Sequence, residues 1–98
     1  NKPTGIVVAG DMMALGAVKA SIEQGYKVPD DFSIVGFDNI DMLNYSLPGI
    51  TTIGQDFEQL GLKTAELLVA KMNNRPIPEK AVKLPTRLIV RESCKRIG

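Results

Sequence analysis

The sequence predicts an α/β fold built on parallel strands. Three observations carry that prediction. Two short apolar runs rich in β-branched residues, "GIVVA" at Gly5–Ala9 and "SIVGF" at Ser33–Phe37, have the length of buried strands. Between them, Met12–Gln24 carries apolar residues three and four apart, the spacing of a helix that buries one face. Two strands joined by a helix form a βαβ unit, whose strands run parallel through a right-handed crossover.

Each element has its own punctuation. Asp11 is placed to cap the first helix, and Met12, Leu15, Val18 and Ile22 form its expected inward face. Met12-Met13 reads as core packing, since neighbouring helical residues point about 100° apart and only one of them faces any given partner. Gly25 stands where a left-handed residue ends a helix. "YKVPDD" supplies turn chemistry before the second strand. Asp38 or Asn39 is a cap candidate for a short helix over Ile40–Ser46, which Leu47-Pro48-Gly49 stops. Ile50–Gln55 is extended. Asp56 caps a second long helix, with Gln59 in capping-box register, and that helix runs to about Asn73. Phe57, Leu60, Thr64, Leu68 and Met72 share one of its faces. "NNRPIPE" is a loop. Val82–Val90 is a final strand in which Pro85 marks an edge or a crossover.

Composition narrows the function classes. A chain of 98 residues, 44% hydrophobic and 23% charged, holds one soluble globular domain at most, with a small core. A net charge of +1 provides no basic field for gripping phosphates, so direct contact with nucleic acid is not expected of this segment. The lack of histidine removes the commonest general base and a common metal ligand. The single cysteine, Cys94, has no internal disulfide partner. No apolar run approaches the roughly 18 residues of a membrane span. The start "NKPTG" has neither an initiator methionine nor a secretory pattern, and it reads as the interior of a longer chain.

Two stretches are candidates for binding. The Gly10-Asp11 junction lies where a parallel strand turns into a helix, the edge at which open α/β sheets hold ligands. Gly10 lets a ligand approach the backbone, and the helix start offers free N–H groups. Asp11 there reads mainly as the cap beside the pocket, and it stays among the candidate ligand-binding residues with Gly10, Phe37 and Asp38. The second stretch, "VGFDNI", puts Phe37, Asp38 and Asn39 after the second strand, at the same sheet edge. An aspartate carboxylate suits paired hydroxyls or a ring N–H, and a phenyl ring supplies a flat apolar wall. An Asx-turn or a helix cap accounts for Asp38 equally well. Catalysis has no support beyond these two carboxylates: there is no activated nucleophile and no metal-ligand spacing such as CxxC or HExxH. The sequence calls for no enzyme activity, metal or cofactor.

Four blocks, "VAGDMMALGAVKA", "G-KVPDDFSIVGFDNI", "LPGITTIGQDFEQLG" and "LPTRLIVRES", occur in that order and spacing. Together they resemble the C-terminal part of the lac repressor and purine repressor family of bacterial transcription regulators. The resemblance runs from about Thr4 to Ser93. It implies part of a periplasmic-binding-protein-like (type I) effector domain, incomplete here, with the DNA-binding headpiece and the first subdomain absent. It implies that residues 1–55 belong to the C-terminal subdomain, 56–80 to a helix and loop of the N-terminal subdomain, and 81–98 to a return crossover and tail.

In that family, effector sits in a cleft between subdomains. The resemblance makes Asp38 the foremost effector ligand, with Phe37 in place of a usual tyrosine. Gly10 stands where some sugar-responsive members have an asparagine, as in purine-type members. The implied effector is therefore a small molecule, sugar or purine-like. The family also implies a homodimer through Leu15 on the first helix and Leu43, Asn44 and Tyr45. It further implies a cytoplasmic location, and DNA contact only through a headpiece. The rival readings are a fragment of a periplasmic sugar-binding protein of the same fold and a small α/β enzyme domain.

Overall fold

The computed structural model describes residues 2–76 and 82–97. Among the described residues the elements run β1 (Gly5–Val7), α1 (Asp11–Glu23), β2 (Ser33–Val35), a 3-10 turn (Asp41–Tyr45), β3 (Thr52–Gly54), α2 (Phe57–Met72) and β4 (Arg87–Ile89). The chain divides into two units, Asn1–Gly54 with Arg87–Gly98, and Gln55–Thr86.

The first unit is the predicted βαβ with two more strands. β1 and β2 pair parallel, Ile6 opposite Ile34. Parallel bridging continues from β2 to the third chain segment, Val35 to Thr51 and Asp38 to Gly54. β3 pairs antiparallel with β4, Ile53 opposite Leu88. The buried apolar core consists of Ala14 and Val18 from α1, Ile34 from β2, Leu43 from the 3-10 turn, and Ile50.

α1 differs from expectation in its inward face. The helix starts at Asp11, its N-cap position is Gly10, and no side chain caps it. Its buried residues are Asp11, Ala14 and Val18. Leu15 is half-buried, and Met12 and Ile22 are more than half exposed. The cause is a close approach to the sheet. A Cβ added at Gly36 would stand 3.3 Å from the Ala14 side chain and would overlap the Asp11 carboxylate. Two small residues thus face each other, and the buried carboxylate at the helix start joins that face. Gly25, with φ +87°, ends the helix in the left-handed region as expected.

The short helix over Ile40–Ser46 is a 3-10 turn without a side-chain cap. Asp38 and Asn39 do not cap it: the N-cap position is Ile40, whose N–H donates to the Asp11 carboxylate at 2.8 Å. The last strand is shorter than Val82–Val90. Regular pairing starts at Arg87, after Pro85, which has no N–H to give to a ladder.

Beyond β4 the chain returns to the sheet at Ser93, which is fully buried. Its N–H donates to the Gly49 carbonyl at 2.8 Å, and its carbonyl accepts from the Ile34 N–H at 3.0 Å. Its hydroxyl donates to the Ile34 carbonyl at 2.6 Å and accepts from the Thr51 N–H at 2.8 Å. Every polar group of this one residue joins β2 to the segment ahead of β3.

The second unit holds α2. Asp56 is its N-cap, and the Asp56 carboxylate accepts from the Gln59 N–H at 3.0 Å, the expected capping contact. None of the α2 residues is buried. The expected apolar face is exposed at Phe57, Leu60, Leu68 and Met72. The loop "NNRPIPE" is described as far as Pro76, and the rest of it lies outside the described residues.

Candidate functional site

The site is assembled by backbone hydrogen bonds between strand ends. After β1 the Val8 N–H donates to the Val35 carbonyl at 2.8 Å, and after the turn at Gly10 the Asp11 N–H donates to the Phe37 carbonyl at 3.1 Å. The start of α1 is thereby joined to the end of β2, and Gly10, Phe37 and Asp38 meet at the carboxyl edge of the sheet. The Asp38 N–H donates onward to the Ile53 carbonyl at 2.9 Å. The space beside Gly10 is open: a Cβ built there meets nothing within 4 Å. Phe37 is exposed and Asp38 half-buried.

The Asp38 loop has an unusual backbone. Asp38 has φ +118° and Asn39 has φ +64°. Side chains at such angles cost about 1–3 kcal/mol each and persist only where surrounding contacts over-determine them. Those contacts are present. Asp11, 1% exposed, sits behind the loop. One of its oxygens accepts from the Thr52 hydroxyl at 2.7 Å and the other from the Ile40 N–H at 2.8 Å. A buried carboxylate is tolerated when both oxygens are hydrogen-bonded in this way. The expectation of Asp11 as a side-chain cap is therefore corrected. It lies beneath the site floor, and its carboxylate supports the loop that carries Asp38.

Arg91 holds the loop from the other side. Its guanidinium donates to Asn39 Oδ1 at 2.9 Å and to the Ile50 carbonyl at 2.8 Å. Its own N–H donates to Thr51 Oγ1 at 2.8 Å, and that hydroxyl donates back to the Arg91 carbonyl at 3.2 Å. Sequence reasoning missed Thr51, Thr52, Arg91 and Ser93. "RES" reads as a charged tail, and nothing local in it marks an inward arginine beside a buried serine.

The residues expected at a dimer interface separate into two kinds. Leu43 is 1% exposed and belongs to the core, which corrects its expected place on a contact surface. From the 3-10 turn it joins the core cluster of Ala14, Val18, Ile34 and Ile50, with Ile40 packed against that cluster. Asn44 and Tyr45 are exposed, and Leu15 is half-buried. Leu15, Val18, Ile22, Leu47 and Ile50 line an open groove of about 430 Å³. Among the described residues no group of three or more His, Cys, Asp or Glu is placed to hold a metal ion. Among them, too, no helix is long and apolar enough to cross a membrane.

A family model for the periplasmic binding protein-like domain matches residues 1–94. The chain belongs to that family. Its relatives carry the lac repressor and purine repressor resemblance as well. It is 36% identical over 98 residues to the HTH-type transcriptional repressor PurR of Mannheimia succiniciproducens, covering 100% of this chain and 29% of that protein. It is 38% identical over 91 residues to the ribose operon repressor of Halalkalibacterium halodurans, covering 93% of this chain and 28% of that protein. A solved structure of a LacI family transcriptional regulator from Enterococcus faecalis, with bound ribose, superimposes with a TM-score of 0.84. That pair is 40% identical, over 95% of this chain and 35% of the other. The periplasmic binding protein-like chain thus spans under a third of the curated relatives it matches. Those relatives are transcriptional repressors, and the fold seen here is a parallel α/β part of their ligand-binding domain.

Proposed function

We propose that this chain is the effector-binding and dimerisation part of a ligand-responsive, DNA-binding transcriptional regulator of the repressor type. The observation that supports this best is the juxtaposition of Gly10, Phe37 and Asp38 at one sheet edge through the bond from the Asp11 N–H to the Phe37 carbonyl. In the proposal, Asp38 accepts hydrogen bonds from a sugar or purine-like effector. Phe37 supplies a flat wall, and Gly10 leaves room for the ligand. Asp11 acts from behind, through the loop. Residues 1–55 and 81–98 would serve the C-terminal subdomain and its crossovers, and 56–80 the N-terminal one. Leu15, Asn44 and Tyr45 would flank a homodimer contact, with the groove beside Leu15 as its apolar centre. DNA would be reached through a headpiece outside this segment, in the cytoplasm, and the chain would catalyse no reaction.

The mechanism is a population shift. An effector that binds one conformation of the regulator better moves the population toward it by that difference in affinity. Calorimetric titration of the full-length protein with D-ribose and with purine bases tests the site. One of these classes is expected to bind. Asp38→Ala is expected to weaken that binding about 10- to 100-fold, since it removes hydrogen bonds to a charged acceptor. Unchanged affinity in Asp38→Ala, or no binding of either class, counts against the proposal.

A further inference from the structure

We propose that Arg91 is a positioning residue for the effector loop: it does not touch ligand, and it holds the backbone from which Asp38 projects. The inference rests on the effector reading of Asp38 given above. Three of the contacts on the loop bear on its left-handed backbone. The Asp38 N–H is held by Ile53, the Ile40 N–H by Asp11, and the Asn39 side chain by Arg91. The first two fix the ends of the tripeptide. The third alone grips its middle residue, Asn39, whose φ of +64° follows the +118° of Asp38. Arg91 is suited to that grip. Its planar fork reaches two acceptors at once, Asn39 Oδ1 and the Ile50 carbonyl, while its backbone is locked to Thr51. A lysine ammonium, a compact point charge, does not reproduce a two-acceptor fork. The strand end that binds effector is thus registered against the segment leading into β3 by a side chain 52 residues away.

The test uses the full-length protein with Arg91→Met, Arg91→Lys and Asn39→Ala, singly and with Arg91→Met and Asn39→Ala combined. Amide hydrogen exchange is read at Asp38 and Ile40, with Ile34 and Val35 as controls. Opening of this loop is expected to speed exchange at Asp38 and Ile40 about tenfold or more in each variant, with the strand controls unchanged. The combined variant is expected to add little to either single one, because both remove the same contact. Exchange that stays at the parent rate overturns the proposal. So does exchange that rises equally in the strands, which would make Arg91 a general support of the fold. Titration with D-ribose and purine bases forms the second arm. Where the parent binds a probe, Arg91→Lys is expected to lose about tenfold in affinity with Asp38 intact, and unchanged affinity overturns the proposal. A parent that binds neither class refutes the effector reading, while the exchange result still decides whether Arg91 sets the loop.

Discussion

The two units of the chain are stabilised in different ways. In the unit of β1 to β4 and α1, buried polar groups are paired across long stretches of sequence: Asp11 with Thr52 and Ile40, Ser93 with Ile34, Gly49 and Thr51. In the unit of α2 no described helical residue is buried, and the side-chain contacts seen along the helix are local, among them the Asp56 cap, the Thr64 hydroxyl on the Leu60 carbonyl, and the exposed Lys63–Glu66 pair. A buried polar group left without its partner costs its desolvation, whereas an exposed apolar side chain costs little when it is cut back. Stability of this chain should therefore depend steeply on the first unit's polar residues and hardly at all on the apolar face of α2.

One substitution in each unit tests that difference. Asp11→Ala strands the Thr52 hydroxyl and the Ile40 N–H, both held at under 3 Å, and is expected to cost about 3–5 kcal/mol. Urea unfolding followed by circular dichroism reads this as a large drop in midpoint. A loss below about 1 kcal/mol would mean that water replaces the carboxylate. Leu68→Ala, at a position 58% exposed, is expected to change the stability of this chain by less than about 0.5 kcal/mol in the same assay. A loss of about 2 kcal/mol or more there would show that α2 buries this face in solution, and the contrast would fail.

The parts that were legible in the sequence are those with short-range causes. The β-branched runs, the helical period between them, Gly25 and the Asp56 cap all act within a few residues, and each is found where expected. The inward face of α1 was not legible. It is set by Gly36 and by the Asp11 contacts with Ile40 and Thr52, 29 and 41 residues along the chain. The pairing at the candidate site is of both kinds. Gly10 and Phe37–Asn39 follow from the rule that parallel strand ends share an edge. Their supports do not. Arg91 reaches Asn39 across 52 residues and Ser93 reaches Ile34 across 59, and no periodicity connects them. Leu43 was placed at the interface only through the family resemblance, and nothing in the local sequence says that a 3-10 turn buries it.

In the proposed function, ligand binds at the carboxyl edge of the first unit's sheet. The opposite end carries its own cleft, of about 280 Å³, lined by residues that include Thr4, Asp30, Ser33 and Lys95. The most direct test is amide chemical-shift mapping of the ¹⁵N-labelled full-length protein, titrated with D-ribose and with purine bases. Saturable shifts are expected to concentrate at Gly10, Phe37, Asp38 and Asn39, with Thr4 and Lys95 unmoved. Saturable shifts at Thr4, Ser33 and Lys95 with the Gly10 and Asp38 amides unmoved would contradict it.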